Sequence, residues 1–305
     1  MWPRINISKW MQPFYAILIL LLLVLPATAT ERPPIVGIAH IAFQVSDLAK
    51  AKQFYGDLLG YEDGFRLFKE DGSTLLAYFK VNDRQYIEII PGLPPDQVDR
   101  LSHIAFETNN LEALKSYLTE KGVKVPEKVN QGNDGNSNFM VTDPDGHRVE
   151  FVQYLPGSLH MKSQGSYLSF KRISDRMLHV GVTVADVSKA DYFYKEILGF
   201  SEIWRGGFTE KATQWINMKL PESTDYLEYM LVAGSVDRKQ LGILHHLALQ
   251  VTDIQRALET VRMRPQGWNS SVVGQPLVGR NNRWQLNLID PDGSRTELME
   301  PFTMR

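Results

Sequence analysis

The 305-residue sequence contains no cysteine. Disulfides, thiolate zinc sites and cysteine nucleophiles are therefore excluded, and any bound metal must have nitrogen and oxygen ligands. A charge excess is also missing, because 33 Lys and Arg against 35 Asp and Glu give a formal net charge of -2. No basic run alternates with aromatic residues, so nucleic acid is not an expected partner. The remaining composition, with 43% hydrophobic residues, is that of a globular protein long enough for two domains.

The first thirty residues differ from the rest of the chain. Arg4 and Lys9 precede an apolar run from Ala16 to Leu25, which is followed shortly by the small-residue triplet Ala27-Thr28-Ala29. This pattern predicts a secretory signal peptide at 1–29 with an Ala-x-Ala cleavage site. An uncleaved membrane anchor is the alternative, although about ten apolar residues fall short of the ~20 that a spanning helix needs. We expect a secreted or periplasmic protein that has no membrane contact after cleavage.

One strand pattern occurs four times in the remaining chain. Each copy holds a histidine, is followed by a helical pattern, and leads through about three strands to a closing strand that holds a glutamate. The histidines are His40, His103, His179 and His246, and the glutamates are Glu88, Glu150, Glu228 and Glu297. The repeated unit is therefore βαβββ, which predicts an α+β fold.

The four units alternate between two kinds. In the first and third units, the helix follows Asp47 or Asp186, which we predict as N-caps, and contains a Phe-Tyr pair. In the second and fourth units, the closing strand follows the tight turns 143–146 and 290–293, both Asp-Pro-Asp-Gly. This alternation predicts a duplicated two-unit domain. The predicted segments are a first domain at 35–155 (units 35–92 and 100–155), a linker at 156–175 and a second domain at 176–301 (units 176–233 and 242–301).

The strand faces indicate a ligand-binding cup. Because side chains alternate across a strand, each repeated histidine shares its face with a tiny residue and then a polar one, as in His40, Ala42 and Gln44. Tiny residues beside a histidine leave space above the sheet, which a packed core would avoid. Two imidazoles and two carboxylates per cup suit a divalent ion such as Zn, Ni, Mn, Co or Fe(II).

Other polar residues receive different predictions. The closing glutamates share their faces with four candidate substrate-binding residues, which are Tyr86, Arg148, Tyr226 and Arg295. Three further histidines lie on the opposite strand face or in turn and linker sequence, so we predict structural or solvated roles for them. They are His245, His147 and His160.

These motifs resemble the vicinal oxygen chelate (VOC) superfamily, which includes glyoxalase I, extradiol dioxygenases, methylmalonyl-CoA epimerase and the fosfomycin and bleomycin resistance proteins. The resemblance covers about 35–300. It implies four βαβββ modules paired into two cup-shaped domains of the glyoxalase/dioxygenase kind, with metal ligands from the first and last strands. Modules pair either first with second and third with fourth, or first with fourth and second with third. Both groupings supply two of the repeated histidines and two of the repeated glutamates per cup.

The resemblance leaves three functions open. The first is a glyoxalase-like or epimerase-like enzyme in which Glu150 or Glu297 moves a proton of a metal-bound small-molecule substrate. Gln44 and Thr183 stand where glyoxalase I has an arginine for glutathione, so glutathione is not favoured. The second is an extradiol dioxygenase with Fe(II), in which a second glutamate would crowd the metal. The third is a non-catalytic binder of a small molecule or antibiotic. Each would act as a monomer or homodimer.

The signal-peptide hypothesis predicts that the exported protein begins at or next to Thr30, because cleavage follows the Ala27-Thr28-Ala29 triplet. Intact-mass measurement of protein recovered from outside the cytoplasm checks this. A mass that still includes Met1 to Leu25 would favour the membrane anchor instead.

Overall fold

The computed structural model describes Met1 and residues 31–264, 269 and 271–304. Apart from Met1, the predicted signal peptide at 1–29 lies outside the described residues. Within the described part of the chain, no helix is long and apolar enough to cross a membrane. The fold given below is that of the compact unit Arg32–Arg305.

Two eight-stranded sheets form the body of this unit. The strands of the first sheet are β1 (Ile35–Val45), β2 (Asp63–Phe68), β3 (Thr74–Lys80), β4 (Tyr86–Pro91), β5 (Leu101–Thr108), β6 (Asn130–Gln131), β7 (Ser137–Thr142) and β8 (Arg148–Gln153). Those of the second sheet are β9 (Met177–Val184), β10 (Ser201–Gly206), β11 (Trp215–Lys219), β12 (Tyr226–Leu231), β13 (His246–Gln250), β14 (Leu277–Val278), β15 (Trp284–Ile289) and β16 (Arg295–Met299).

Among the residues that the structure describes, six helices connect the strands. They are α1 (Leu48–Ala51, continued by a π-helical segment Lys52–Leu58), α2 (Leu111–Glu120), α3 (Leu159–Lys162), α4 (Val187–Asp191, continued by a π-helical segment Tyr192–Ile197), α5 (Arg238–Leu244) and α6 (Ile254–Arg262). Asp47 caps α1 by accepting hydrogen bonds from the backbone of Ala49 and Lys50. Asp186 caps α4 through the backbone of Lys189. Both predicted N-caps are therefore found.

The order of strands shows which units pair. The first sheet runs β2-β3-β4-β1-β5-β8-β7-β6, and the second repeats it as β10-β11-β12-β9-β13-β16-β15-β14. In each unit the first strand pairs in parallel with the last, and the first strands of two units meet antiparallel at the centre of a sheet. Adjacent units therefore form each sheet, which selects the first of the two groupings left open above. The predicted α+β fold of four βαβββ modules in two cups is confirmed.

The apolar faces of both sheets belong to one continuous core. Ile41 and Phe43 on β1 are fully buried, as are Val180 and Val182 on β9. The opposite faces carry the histidines and glutamates, so the core faces fix which side of each sheet becomes a cup.

The Asp-Pro-Asp-Gly turns connect the two sheets. Asp143 accepts a hydrogen bond from the hydroxyl of Tyr194 at 2.8 Å, and Asp290 accepts one from the hydroxyl of Tyr55 at 3.0 Å. In the same turns, the carboxylate of Asp145 accepts from the backbone nitrogen of Ala185, and that of Asp292 accepts from the backbone nitrogen of Ser46. Each turn was predicted only as the entry to a closing strand. In the structure, the two turns also form reciprocal tyrosine–aspartate contacts that hold the two sheets together.

The predicted linker folds back over the first sheet. Ser158 caps the short helix α3 by accepting from the backbone of Met161 at 3.2 Å. The fully buried ammonium of Lys80 on β3 donates to the backbone carbonyl of Ser163. Further along, the backbone of Ile173 donates to the carbonyl of Leu59 at 2.8 Å. The linker therefore contributes to the first cup as well as connecting the sheets.

The interface hydrogen bonds generate a stability prediction. Changing Tyr55 or Tyr194 to Phe removes the donor and leaves a buried carboxylate with one partner fewer, so each change should lower the free energy of unfolding by about 1 to 2 kcal/mol. Tyr229→Phe is the matched control, because its buried hydroxyl has no hydrogen-bond partner within the described residues. Its effect should stay within about 0.5 kcal/mol. Urea denaturation measures all three, and equal losses would contradict a specific role for the aspartates.

Candidate metal centres

The two histidines of the first sheet lie on neighbouring antiparallel strands. His40 on β1 lies opposite Ala105, and His103 on β5 lies opposite Ala42. The Nε2 atoms of the two imidazoles are 2.9 Å apart. The small side chain opposite each histidine therefore makes room for an imidazole that rises beside it.

The second sheet repeats this arrangement with tighter packing. His179 lies opposite Ala248 and His246 opposite Gly181, and their Nε2 atoms are 3.0 Å apart. A Cβ added at Gly181 would lie 2.0 Å from Cε1 of His246. The residue at this position of the repeat must therefore be small, because the imidazole of the neighbouring strand occupies the space beside it. Strand alternation alone does not predict this requirement.

The first cluster consists of His40, Glu88, His103 and Glu150, all buried. Glu150 Oε2 lies 3.1 Å from His103 Nε2 and 3.4 Å from His40 Nε2. Glu88 reaches the same two nitrogens through different oxygens, at 3.4 Å for His40 and 3.5 Å for His103. The group whose ligand atoms all lie within 4.8 Å of one another comprises His40, His103 and Glu150.

The second cluster consists of His179, Glu228, His246 and Glu297, and all four belong to one such group. His246 Nε2 lies 3.4 Å from Glu228 and 3.6 Å from Glu297. The corresponding distances from His179 Nε2 are 3.8 and 3.9 Å. The eight predicted ligands are therefore brought together as two sets of two histidines and two glutamates.

Both donor sets fit a divalent metal ion. Ligands at about 2.1 Å that subtend a right angle at the metal lie about 3.0 Å from each other, which matches both Nε2–Nε2 distances. In the second cluster, His246 Nδ1 lies 2.8 Å from the carbonyl oxygen of Leu244. Donation from Nδ1 to that carbonyl leaves the Nε2 lone pair free for a metal.

The two clusters differ in their electrostatics. In the first, burial lowers the pKa of His103, but contacts with Glu150 and Glu88 outweigh burial and raise it to about 9. The pKa of Glu150 is held well below its usual range, because both histidines outweigh the opposing effect of burial. A proton is therefore favoured on an imidazole of the first cluster when no metal is bound.

In the second cluster, burial dominates. It lowers the pKa of His179 to about 3, opposed by Glu228. It also raises the pKa of Glu297 to about 7, with Arg295 opposing and Glu228 adding to the effect. The nitrogen–oxygen distances are longer here than in the first cluster, so ion pairing is weaker and the imidazoles stay neutral, the form that binds metals.

Each cluster borders a cavity, the second cluster through Glu228 and Glu297. The first cavity has a volume of about 160 Å³, and its walls include Tyr78, Tyr154 and His160. The second has a volume of about 280 Å³ and a wall of Trp204, Trp215 and Phe208, together with Arg280 and Arg295. The two cups thus present similar donor sets to cavities of different size and chemistry.

The two candidate substrate-binding arginines occupy different environments. Arg295 lines the second cavity, and its guanidinium lies 3.9 Å from Glu297. Arg148, its equivalent in the first sheet, has an exposed side chain that contacts the sulfur of Met140 at 2.8 Å. Arg148 is not among the residues that line the first cavity.

The two candidate tyrosines are buried against the clusters. Tyr226 stacks on His179, with ring centroids 4.5 Å apart and an interplanar angle of 27°. The hydroxyl of Tyr86 lies 3.2 Å from the hydroxyl of Ser163. Burial raises the pKa of Tyr86 to about 12, so its hydroxyl stays protonated at neutral pH.

Two of the remaining histidines form a network between the sheets. Nε2 of His147 and Nε2 of His245 lie 3.1 and 3.0 Å from the hydroxyl of Thr183. Their Nδ1 atoms lie 2.9 Å from Asp143 and 2.9 Å from Asp99 respectively. These contacts give both histidines a structural role, as predicted.

Several cavity residues escaped the sequence reasoning. His160 was expected to be structural or solvated, yet it is buried in the wall of the first cavity. Trp204, Trp215 and Arg280 were not singled out at all. Their signal lies in the repeat, because residues that differ between equivalent positions of the two cups, such as Asn133 and Arg280, give the two cavities different walls.

Comparison with known proteins identifies relatives of each half of the chain. The family model described as "Glyoxalase/Bleomycin resistance protein/Dioxygenase superfamily" matches residues 37–151 and 176–298. A probable lactoylglutathione lyase of Synechocystis sp. is 31% identical over 124 residues, which is 37% of this chain and 92% of the relative. The metallothiol transferase FosB of Lysinibacillus sphaericus is 31% identical over 119 residues, or 38% and 80%. These relatives are enzymes, as was predicted for this chain.

Solved structures share the arrangement of both sheets. Homoprotocatechuate 2,3-dioxygenase of Brevibacterium fuscum matches 90% of this chain and 83% of its own, with a TM-score of 0.64 and 22% identity. The 2,3-dioxygenase LapB of Pseudomonas sp. KL28 matches 88% and 93%, with a TM-score of 0.67 and 15% identity. At these identities the likeness concerns the fold. Together with the donor sets, the family matches support the predicted divalent-metal cofactor.

The ligand grouping generates a prediction of metal stoichiometry. His103→Ala or His179→Ala should each leave one tightly bound ion, because each change removes an imidazole from a different cluster. The double variant should lose both ions. Metal analysis after dialysis checks this, with His147→Gln as a control histidine outside both clusters that should keep two ions. An unchanged metal content in the double variant would refute the ligand assignment.

The raised pKa of His103 generates a prediction for the metal-free protein. Because its folded-state pKa of about 9 exceeds the unfolded value of about 6.5, its stabilising contribution is complete below pH 6.5 and is lost as pH rises through 9. The metal-free chain should therefore become less stable from pH 7 to pH 9. Urea midpoints at the two pH values measure this. His103→Gln should reduce the loss, and an equal loss in this variant would assign the effect to other groups.

Proposed function

Because this chain belongs to the glyoxalase/bleomycin resistance protein/dioxygenase superfamily, we propose that it is a divalent-metal-dependent enzyme of the glyoxalase or epimerase type. The proposal rests on one observation above all. The four-residue set of the second cluster borders a cavity, and Oε1 of Glu297, which lines that cavity, has no hydrogen-bond partner among the described residues. A carboxylate oxygen without a partner can accept a proton from a substrate held over the cluster.

The metal would be held by His179, Glu228, His246 and Glu297, and in the first cup by His40, Glu88, His103 and Glu150. When bound, it would supply Lewis acidity that polarises a substrate carbonyl. Glu297 is the group that moves the proton in the second cup. Its Oε1 is buried and has no hydrogen-bond partner among the described residues, so this atom is free to accept a proton.

Three further features of the second cup support this role. Arg295, 3.9 Å from Glu297, stabilises the carboxylate form of the base and lines the cavity beside it. Tyr226 holds the ring of His179 by stacking, and Leu244 holds that of His246 through its carbonyl. The imidazoles are thereby fixed while the glutamate changes its protonation. By the repeat, Glu150 is the corresponding base of the first cup.

A second candidate function, an Fe(II) dioxygenase, is supported by the donor set of the first cluster. The compact group His40, His103 and Glu150 is a set of two histidines and one carboxylate, the donor set of non-haem Fe(II) oxygenases. The solved dioxygenases with the same sheet arrangement add to it. Against an extradiol dioxygenase stands Glu88, whose oxygens lie within 3.5 Å of both imidazoles and would occupy a position that oxygen or a catechol needs.

The proposal includes export of the enzyme. The apolar run and the small-residue triplet before Thr30 support a secreted or periplasmic location. Outside the cytoplasm the substrate would be a small oxygenated molecule that does not depend on cytosolic thiols.

The reaction is tested by hydrogen exchange at substrate carbon. The full chain, stripped and then loaded with Zn, Ni, Mn, Co or Fe(II), is incubated in D₂O with a panel of 2-oxoaldehydes and 2-hydroxy acids. We expect metal-dependent deuterium incorporation at the carbon next to the carbonyl, which in a 2-hydroxy acid is the carbon that bears the hydroxyl, and a loss of about 100-fold or more when Glu150→Gln and Glu297→Gln are combined.

The same preparations are tested with catechols under air. Oxygen uptake with ring cleavage that depends on Fe(II) would replace the first proposal by the dioxygenase. Absence of both reactions across the five metals would contradict both candidate enzymes and favour the non-catalytic binder.

A further inference from the structure

The strand register allows a residue-by-residue comparison of the two cups. Phe65 pairs with Tyr78, which pairs with Glu88 of the first cluster. Trp204 pairs with Asn217, which pairs with Glu228 of the second. Phe65 and Trp204 are therefore equivalent, as are Tyr78 and Asn217 beside the metal-ligating glutamates. Each residue of one cup can therefore be compared with the residue at the equivalent strand position of the other cup.

The first cup holds a ring supplied by its own chain. The imidazole of His160, on α3 of the linker, lies 4.8 Å from the ring of Phe65, 5.1 Å from Tyr78 and 4.5 Å from Tyr86. It also stacks on Tyr154 at 4.7 Å with an interplanar angle of 17°. Four aromatic rings thus enclose one planar ring, which is 2% exposed.

The polar edge of this ring is held by the turn between β6 and β7. His160 Nδ1 lies 2.7 Å from the amide nitrogen of Asn136 and 3.2 Å from Asp134. Asn136 is itself oriented, because its amide oxygen accepts from the backbone of Leu155 at 3.0 Å. An acidic and an amide side chain on this turn therefore match a ring that is neutral or cationic.

The equivalent turn of the second cup has the opposite charge. Gly132 donates to the carbonyl of Asn136, and Gly279 donates in the same way to the carbonyl of Arg283. By this register Arg283 replaces Asn136, Asn281 replaces Asp134 and Arg280 replaces Asn133. The turn loses an acid and gains two arginines, so it favours an anion where the first cup favours a neutral or cationic group.

The second cup has a cavity beside the residues that are equivalent to Phe65 and Asp134. The cavity of about 280 Å³ borders Trp204, the equivalent of Phe65, and adds Trp215 and Phe208. It also borders Arg295, whose Nε is buried without a hydrogen-bond partner among the described residues. The cavity thus combines aromatic walls with a guanidinium that keeps one nitrogen without a hydrogen-bond partner beside the second cluster.

We propose that the second cup binds a planar ring that carries a carboxylate or similar anionic group, in the place where the first cup holds its own His160. The ring lies against Trp204 and Trp215, and the anionic group faces Arg280 and Arg295. This inference rests on the proposed function, since it names the substrate class of the same site. It places this ring-bearing substrate in the second cup, because His160 occupies the equivalent position of the first.

Three small probes separate ring from charge. Benzoylformate has both a planar ring and a carboxylate, pyruvate lacks the ring, and acetophenone lacks the charge. Calorimetric titration of the full chain, metal-free and loaded with Zn, should show one benzoylformate site per chain. Its affinity should exceed that for either other probe by about tenfold or more. Equal affinity for pyruvate, or two benzoylformate sites per chain, would overturn the proposal.

Matched variants assign the site to the second cup. Trp204→Leu should weaken benzoylformate and acetophenone alike by about tenfold, whereas Phe65→Leu at the equivalent position should change neither affinity. Arg280→Asn, alone or with Arg283→Asn, installs the residues of the first cup and should weaken benzoylformate but not acetophenone. An effect of Phe65→Leu equal to that of Trp204→Leu would place the ligand in the first cup and overturn the assignment.

The first cup is tested by removing its ring. In the metal-free His160→Gly variant, free imidazole should raise the unfolding temperature by filling the aromatic box, with no such shift in the metal-free wild-type chain. Benzoylformate should not substitute for imidazole there, because Asp134 repels a carboxylate. If the variant fails to fold, the single benzoylformate site of the wild-type chain still decides the question.

These outcomes separate the inference from the proposed function. Benzoylformate binding that follows the variants, without deuterium exchange in any substrate, would support the substrate class and contradict the proton-transfer reaction. Metal-dependent exchange with substrates that lack a ring, unaffected by Trp204→Leu, would contradict the substrate class and leave the reaction in place.

Discussion

The antiparallel pairing of two histidine-bearing strands at the centre of each sheet is the constraint on which the rest of the structure depends. It brings two imidazoles to within 3.0 Å of each other in both sheets. A slip of one residue would turn a strand's histidine toward the helices and its core residues toward the cup. Burial of the opposite strand faces fixes the register, because residues such as Ile41 and Val180 on those faces are fully buried in the core. Hydrophobic packing on one side thus positions the donor set on the other.

The closing strands complete the donor sets by the same rule. Each pairs in parallel with a first strand, so Glu88 lies opposite Ala42 and Glu150 opposite Ala105. The small residue that accommodates an imidazole from one side therefore also faces a glutamate on the other. The two sheets share these strand pairings and the donor residues, but the residues that form the cavity walls differ between them. The wall of the first cup includes a ring from the linker, whereas the wall of the second includes aromatic and cationic side chains.

The sequence predicted the parts of the structure that follow from local periodicity. All eight residues of the two clusters were predicted to lie together, because a period of two along a strand places the histidines and glutamates of a repeat on one face. The caps at Asp47 and Asp186 followed from short-range chemistry in the same way. The grouping of modules did not follow, since both groupings supply the same residue types to each cup.

Contacts between distant segments could not be predicted from the sequence. The hydrogen bond from Tyr194 to Asp143 joins the helical segment after α4 to the turn before β8, and nothing in the composition of that turn indicates its partner. The position of His160 depends on how the linker folds back, which Lys80 and Ser163 determine through a contact between β3 and the linker. These tertiary contacts make the two cups different even though their repeats are alike.

The central claim is that each pair of histidines holds a divalent ion together with its glutamates. The most direct measurement is anomalous diffraction from crystals of the full chain grown with Zn or Mn, with data collected at the absorption edge of the metal. The account predicts two strong anomalous peaks per chain, one between Nε2 of His40 and His103 and one between Nε2 of His179 and His246. Anomalous density at other positions, or at neither histidine pair, would contradict it.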